Sequence, residues 1–325
     1  MQRFKNILCV VDPENGNRMG LERALTLAEK NNANLTVINV FPGSGMNANM
    51  IKQNIMDDIE ASVMASKNEQ LKSFVDTFPQ KIKIYTKILV GTPFLEIIYE
   101  VLRNEYDLVI KTPTKLEWMD RIFGSDDMHL LRKCPCPVWM IHKDTPKSYK
   151  NILATIDISN SEHEQEIKAN ESLNVQILKM AGSLAVSELA NLHIVHAWYL
   201  PGESMLQGAR LRMDHARILE YTKNIKRIHE EKLDTFIDKI STEKTGELID
   251  FLKPKKHLVK GFPNKVIPEF AKNIDADLVV MGTIGRTGIP GLIIGNTAED
   301  ILNQIHCSVL AVKPSDFVSP VTLKK

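Results

Sequence analysis

Along the chain, short apolar runs alternate with longer stretches in which apolar residues recur every three or four positions. The first rhythm predicts buried strands and the second amphipathic helices; their regular alternation predicts parallel strands joined by crossover helices. In the second half the predicted strands lie near Ile152 to Asp157, Leu192 to Trp198, Lys255 to Lys260, Asp277 to Gly282 and Ser308 to Lys313. The predicted helices are Glu171 to Glu188, roughly Gly208 to Ile240, Pro263 to Asn273 and Thr297 to Gln304. The fold class that follows is α/β: a doubly wound, five-stranded parallel sheet with helices on both faces, whose ligands bind beyond the carboxyl ends of the strands. Asp157, Ala197 and Gly282 lie at such ends and can share one crevice.

The pattern occurs twice. Lys5-Asn6-Ile7-Leu8, running on to Asp12, returns 145 residues later as Lys150-Asn151-Ile152-Leu153, running on to Asp157. In the same order, Ala33-Asn34-Leu35 returns as Ala190-Asn191-Leu192, Gly91-x-Pro93 as Gly261-x-Pro263, and Asp107-Leu108-Val109 as Asp277-Leu278-Val279. Cys136-Pro137-Val138 matches Cys307-Ser308-Val309. The chain is therefore a tandem duplication, with one domain expected over residues 1–144, a second over 149–316, a tail at 317–325, and the boundary near Lys143 to Tyr149.

Composition narrows the class of function. A hydrophobic fraction of 43%, 25% charged residues and a net charge of +1 describe ordinary globular material with no global attraction to nucleic acid or an anionic membrane. The start of the chain does not read as a signal peptide, and no apolar run approaches the ~20 residues of a membrane helix, so the cytoplasm is the expected location. The four cysteines, Cys9, Cys134, Cys136 and Cys307, do not make a disulfide framework. Cys134-Pro135-Cys136 has C-x-C rather than C-x-x-C spacing and no second ligand cluster, so it reads as small apolar residues at a strand entrance, and no metal site is expected. His193 and His196, three apart on a strand, point to opposite faces and cannot chelate one ion together.

The stretch most suggestive of chemistry is Gly282 to Thr297, GTIGRTGIPGLIIGNT. A strand delivers the chain to Gly282, Gly285 follows, and Gly295-Asn296-Thr297 opens a helix. Glycines let backbone approach an anion, and a helix start offers unpaired N–H groups and the positive end of its dipole. This is the chemistry of a phosphate cradle, with Arg286 as a further cation. The plainer reading is a turn followed by capping boxes at Asn296/Glu299 and Thr297/Asp300. There is no Gly-Lys-Ser/Thr ending, so a P-loop ATPase is not indicated.

With its Asp at the end of the first strand and its G-x-x-G-x9-G spacing at Gly282, Gly285 and Gly295, the sequence resembles the universal stress proteins from Phe4 to Pro320. Leu131-Arg132-Lys133-Cys134-Pro135, the order of halves and the Gly-Asn-Thr ending resemble the tandem two-domain UspE type. The resemblance implies an adenine nucleotide alpha-hydrolase-like fold of strand order 3-2-1-4-5, and a cytoplasmic stress-response protein without defined catalytic residues. It also implies a bound cofactor, ATP or a related adenine nucleotide, with or without Mg²⁺. Adenine and ribose contacts would fall on Thr155, Ile156, Asp157 and the backbone of Ala197; phosphate contacts would fall on Gly282, Gly285, Gly295, Asn296 and Thr297. One departure is Asn296, where the family carries Ser or Thr.

The halves are not equivalent. The first keeps Gly124 and Ser125 but has Thr112 and Lys115 where the second has its first two glycines, so Asp12, Val40, Lys115, Gly124 and Ser125 mark a degenerate site expected to bind nucleotide poorly. Lys111, Lys115 and Arg121 could still attract an anion there. Members of the family dimerise through the last strand, and the resemblance implies an intramolecular pseudo-dimer in which Val138 to Ile141 and Val309 to Val312 run antiparallel. A further homodimer and unidentified protein partners are compatible with it. Two rival readings are a slow ATPase or phosphotransferase with Arg286 as charge clamp, and a sensor or carrier of an apolar ligand in the first half near Met46, Met50, Met56 and Met64.

Overall fold

The computed structural model describes residues 4–15, 18–42, 53–79, 81–113, 123–158, 164–203, 214–241, 246–283 and 295–323. In the first half β1 (Asn6–Val10), β2 (Asn34–Phe41), β3 (Ile84–Val90), β4 (Leu108–Lys111) and β5 (Val138–Met140) alternate with α1 (Met19–Asn31), α2 (Gln53–Asp76), α3 (Pro93–Asn104) and α4 (Ser125–Lys133). The second half repeats the scheme with β6 (Asn151–Thr155), β7 (Asn191–Trp198), β8 (Lys255–Lys260), β9 (Leu278–Gly282) and β10 (Ser308–Val312). Its helices are α5 (Glu164–Glu188), α6 (His215–Ser241), α7 (Gly246–Leu252), α8 (Pro263–Asn273) and α9 (Asn296–Leu302).

The strands form one sheet in the order β3-β2-β1-β4-β5-β10-β9-β6-β7-β8. Each half has the 3-2-1-4-5 arrangement, but the two sheets are merged rather than separate. The seam is the sheet's antiparallel pair, with Val138 opposite Ala311, Trp139 opposite Leu310 and Met140 opposite Val309. All three seam residues on β5 are buried, so an unpaired β5 would expose both an apolar face and open backbone groups.

Helices cover both faces. Leu21 of α1, Leu71 of α2, Leu178 of α5, Leu233 of α6 and Ile249 of α7 belong to one apolar cluster, which runs across both halves. Ile98 of α3, Leu130 of α4, Ile267 of α8 and Ile301 of α9 belong to the cluster on the other face. Met64, one of the methionines proposed to line a pocket, packs against the first cluster. The backbone of residues 43–52 and the side chain of Met56 lie outside the described residues.

Beyond the seam, the halves are tied by polar contacts. Arg23 pairs with Glu188 at 3.0 Å, donates to the Pro146 carbonyl at 2.6 Å and lies over the Tyr149 ring. Lys30 donates to the Ser187 carbonyl, and Arg132 pairs with Glu299. The connection between the halves is packed rather than loose: Thr145 and Tyr149 are buried, and the Thr145 hydroxyl is 3.1 Å from that of Ser308. No helix among the described residues is long and apolar enough to cross a membrane.

Three element boundaries depart from expectation. α5 begins at Glu164 rather than Glu171, where the Glu164–Lys168 pair at 2.7 Å gives the polar first turns a local helical contact. For the helix expected over Gly208 to Ile240, residues 208–213 lie outside the described residues and α6 covers His215–Ser241; α7 is a separate helix beyond that span. α9 begins at Asn296 with Gly295 as its N-cap and no side-chain cap, so neither expected capping box forms. The two acids are used elsewhere: Glu299 on Arg132, and Asp300 accepting from Asn264 at 2.9 Å.

Candidate functional site

β6 lies between β7 and β9, with Ala154 opposite both Val280 and Ile194. This register brings the carboxyl ends of the three strands together, and with them Thr155, Ile156, Asp157, Ala197 and Gly282. Thr155 and Ile156 are buried, the Ile156 N–H donates to the Val195 carbonyl at 3.0 Å, and the chain then turns outward so that Asp157 is exposed.

That turn is held from two sides. Asn174, buried on α5, donates to the Asp157 carbonyl at 2.8 Å and accepts from the Asp157 N–H at 3.1 Å. On the other side, His196 Nδ1 lies 3.4 Å from the Ile156 carbonyl and 3.5 Å from the Ile158 N–H. His196 Nε2 in turn lies 2.9 Å from His229 Nδ1 on α6. Burial and the Lys232 charge lower the His229 pKa, with Asp157 opposing. A buried amide satisfied on both its atoms fixes its partner's backbone, so the Asp157 carboxylate projects from a rigid base. Sequence reasoning missed Asn174 because its partner is seventeen positions away in the chain, with no motif linking them.

The glycine stretch leaves and returns at one point. Thr283 is buried; its N–H donates to the Val312 carbonyl at 3.4 Å and its own carbonyl accepts from the Gly295 N–H at 3.3 Å. Gly285 and Arg286 lie outside the described residues. Gly295 is extended, with φ −62° and ψ 135°, and Asn296 and Thr297 are exposed in the first turn of α9. A helix start without a side-chain cap leaves backbone N–H groups to be satisfied from outside. A Cβ at Gly282 would sit 2.7 Å from Leu173 Cδ2, so glycine is what lets α5 pack against the strand end.

In the first half the corresponding helix start is already occupied. The buried Asp127 carboxylate accepts from the Gly124 N–H at 3.3 Å and pairs with Lys111 Nζ at 2.6 Å. Counting from the N-cap glycine, Ala298 stands in the second half where Asp127 stands in the first. The expectation that Lys111 would attract an anion fails for the same reason: it is buried and paired internally. Thr112 replaces Gly282 at the strand end and is accommodated by a glycine on the helix, where a Cβ at Gly20 would lie 2.8 Å from Thr112 Oγ1. Asp12 accepts from the Glu14 N–H at 3.1 Å, Val40 is half-buried on β2, Gly124 caps α4 and Ser125 is exposed. Lys115 and Arg121 lie outside the described residues.

Beside Asp157, a cleft of about 370 Å³ opens between α5 and α6, lined by Asn170, Asn174, Ile228, Lys232 and Phe236 among others. The other histidine, His193, faces away from the crevice and stacks on His257, with 3.1 Å between ring nitrogens. Among the described residues no cluster of three or more His, Cys, Asp or Glu could hold a metal ion. The donors and acceptors present at the crevice suit a nucleotide: a carboxylate for ribose hydroxyls, backbone groups for a base edge, and helix N–H groups for phosphate.

Comparison with known proteins agrees on the fold. A family profile described as the Universal stress protein family matches residues 3–142 and again 148–313. The chain is 29% identical over 321 residues to the Universal stress protein E homolog of Haemophilus influenzae, covering 96% of this chain and 98% of that one. It is 28% identical to Universal stress protein E of Salmonella typhi, covering 99% and 98%. Among solved structures, a functionally unknown protein from Pseudomonas aeruginosa PAO1 superposes with a TM-score of 0.68 at 23% identity, covering 96% of this chain and 94% of that one. A universal stress protein from Archaeoglobus fulgidus gives 0.55 at 18% identity over 95% and 98%. At those identities the structural likeness speaks for the fold alone.

Proposed function

The chain belongs to the universal stress protein family, and on that premise we propose that it is a stress-response protein whose second half binds ATP or a related adenine nucleotide. The observation that carries this reading is the contrast between the two helix starts: Asp127 supplies an internal anion at α4, while Ala298 leaves the matching place at α9 without one. The exposed Asp157 carboxylate, braced by Asn174, stands at the end of the neighbouring strand to receive ribose hydroxyls. Thr155, Ile156 and Ala197 line the base side, and Gly295, Asn296 and Thr297 take phosphate. With Glu299 paired to Arg132 and Asp300 bonded to Asn264, the acids of α9 repel phosphate less than their sequence positions imply.

In this reading residues 1–144 and 149–316 are two family units, of which the first serves as a structural partner joined through β5 and β10. Mg²⁺ would ride on the phosphates rather than in a protein cage. The protein acts in the cytoplasm through partners rather than by turnover, since hydrolysis needs a positioned base and charge stabilisation at the γ-phosphate. Denaturing the purified protein and analysing the supernatant by mass spectrometry tests the reading: adenine nucleotide released in proportion to protein supports it. Empty protein that also fails to retain labelled ATP on filters contradicts it.

A further inference from the structure

A group of reactive side chains lies outside the nucleotide crevice, where the end of α4 meets the last strand of the second half. Cys134 and Cys136 are both buried, and their sulfurs are 3.6 Å apart. Lys313, just past β10 and 3% exposed, is anchored at the same helix end. Its amine reaches the Leu131 carbonyl at 2.6 Å, the Arg132 carbonyl at 3.2 Å and Thr283 Oγ1 at 2.7 Å. No carboxylate pairs with it among the described residues, and the groups that favour its charged form are the two thiols. A buried ammonium without a carboxylate partner stabilises a neighbouring thiolate.

We propose that Cys134 and Cys136 form a redox-active dithiol, with Lys313 as its proton acceptor, that closes to a disulfide on reaction with a small peroxide. The Cys134 proton passes to the Lys313 amine, and the thiolate attacks one peroxide oxygen, breaking the O–O bond and leaving a sulfenic acid. The departing hydroxide takes the proton from Lys313 and leaves as water. The Cys136 sulfur then attacks the Cys134 sulfur; the S–S bond forms, the S–O bond breaks, and the Cys136 proton leaves with the hydroxyl as a second water. Two thiols lose two electrons to one peroxide.

The two sulfurs are not alike. Burial opposes ionisation of Cys134, but the hydrogen bond from Cys136, the Cys136 N–H and the Lys313 charge outweigh it and hold its pKa below the ordinary thiol value. The hydrogen bond to Cys134, with burial, raises Cys136, which suits the resolving partner. Burial pulls Lys313 down to about 7, where it exchanges protons at neutral pH. Burial pushes Cys9 up and Cys307 up to about 12, and both stay inert thiols. A bridge across a single intervening residue is strained, which makes it readily reducible and the cycle reversible.

The test treats the reduced full-length chain with hydrogen peroxide, blocks remaining thiols with iodoacetamide, and maps tryptic peptides by mass spectrometry. The expected result is a Cys134–Lys143 peptide lacking two hydrogens and unblocked, while Cys9 and Cys307 remain blocked, with full reversal by dithiothreitol. Lys313→Met should slow closure about tenfold. Should that variant fold poorly, Cys136→Ser reads the same step, since it should stop at a Cys134 sulfenic acid that dimedone traps. Oxidation of Cys9 or Cys307 before the pair, or a Cys136→Ser protein that gives no dimedone adduct at Cys134, would overturn the proposal.

Discussion

Asp127 and Lys111 form a buried ion pair at 2.6 Å, and the same carboxylate accepts the Gly124 N–H at the start of α4. At α9 the corresponding N–H, that of Gly295, goes to the Thr283 carbonyl instead, and Ala298 stands in the place of the carboxylate. Removing one partner leaves an uncompensated buried charge, so Asp127→Ala should lower stability by about 3 kcal/mol, and Lys111→Met with Asp127→Leu should recover most of it. Urea unfolding of the two variants checks this; equal loss in both would contradict it. Added sulfate should partly rescue Asp127→Ala alone, by occupying the emptied helix start.

Asn174 holds the backbone of Asp157, the residue proposed to receive the ribose hydroxyls. Asn174→Leu should weaken ATP binding about tenfold, roughly 1.4 kcal/mol, through misplacement of the carboxylate. It should also reduce stability by about 1 to 3 kcal/mol, because the Asp157 backbone groups lose their partners. Calorimetric titration with ATP gives the first figure and thermal unfolding the second. Unchanged affinity would mean that Asp157 is positioned by something else.

Gly282 is constrained by Leu173 as well as by any ligand. Gly282→Ala should cost about 1 to 3 kcal/mol by overpacking against Leu173. In Leu173→Ala the added methyl gains room, so the double variant should be more stable than the sum of the singles predicts. Strict additivity would contradict the contact. For the same reason Gly282→Val is a poor probe of phosphate binding, and substitutions at Asn296 are cleaner.

Acid should loosen the second half. Burial, with the His257 and Lys255 charges, lowers His193 to about 4, and burial also lowers His257 and His229. A histidine held neutral in the fold binds fewer protons than the unfolded chain between its folded and ordinary pKa values. Stability is therefore complete above pH about 6.5 and falls as pH drops toward 4, with His193 the largest of the three contributors. Urea midpoints at pH 7.5 and 5 measure it. His193→Leu should flatten the slope, and an unchanged slope would assign the acid sensitivity elsewhere.

The strand and helix alternation and the repeat were legible because each residue's environment is set by a local period and by a second copy for comparison. The register that gathers Asp157, Ala197 and Gly282 followed from topology. What escaped was pairing between distant side chains: Asn174 with Asp157, Lys111 with Asp127, His196 with His229. Each is a polar contact between elements far apart in sequence, and neither hydrophobic period nor motif spacing encodes it. Glu299 and Asp300 show the reverse case, where a local capping pattern lost to partners on α4 and α8, Arg132 and Asn264. Nor could the missing glycines of the first half reveal how its helix start is satisfied: a carboxylate, Asp127, accepts the Gly124 N–H there.

The central claim is that one nucleotide binds per chain, in the second half. Calorimetric titration of the full-length protein with ATP, alongside Asp157→Ala and Asp12→Ala, tests it most directly. The account predicts a single site that Asp157→Ala abolishes and Asp12→Ala leaves intact. Two sites per chain, or loss of binding in Asp12→Ala with retention in Asp157→Ala, would contradict it.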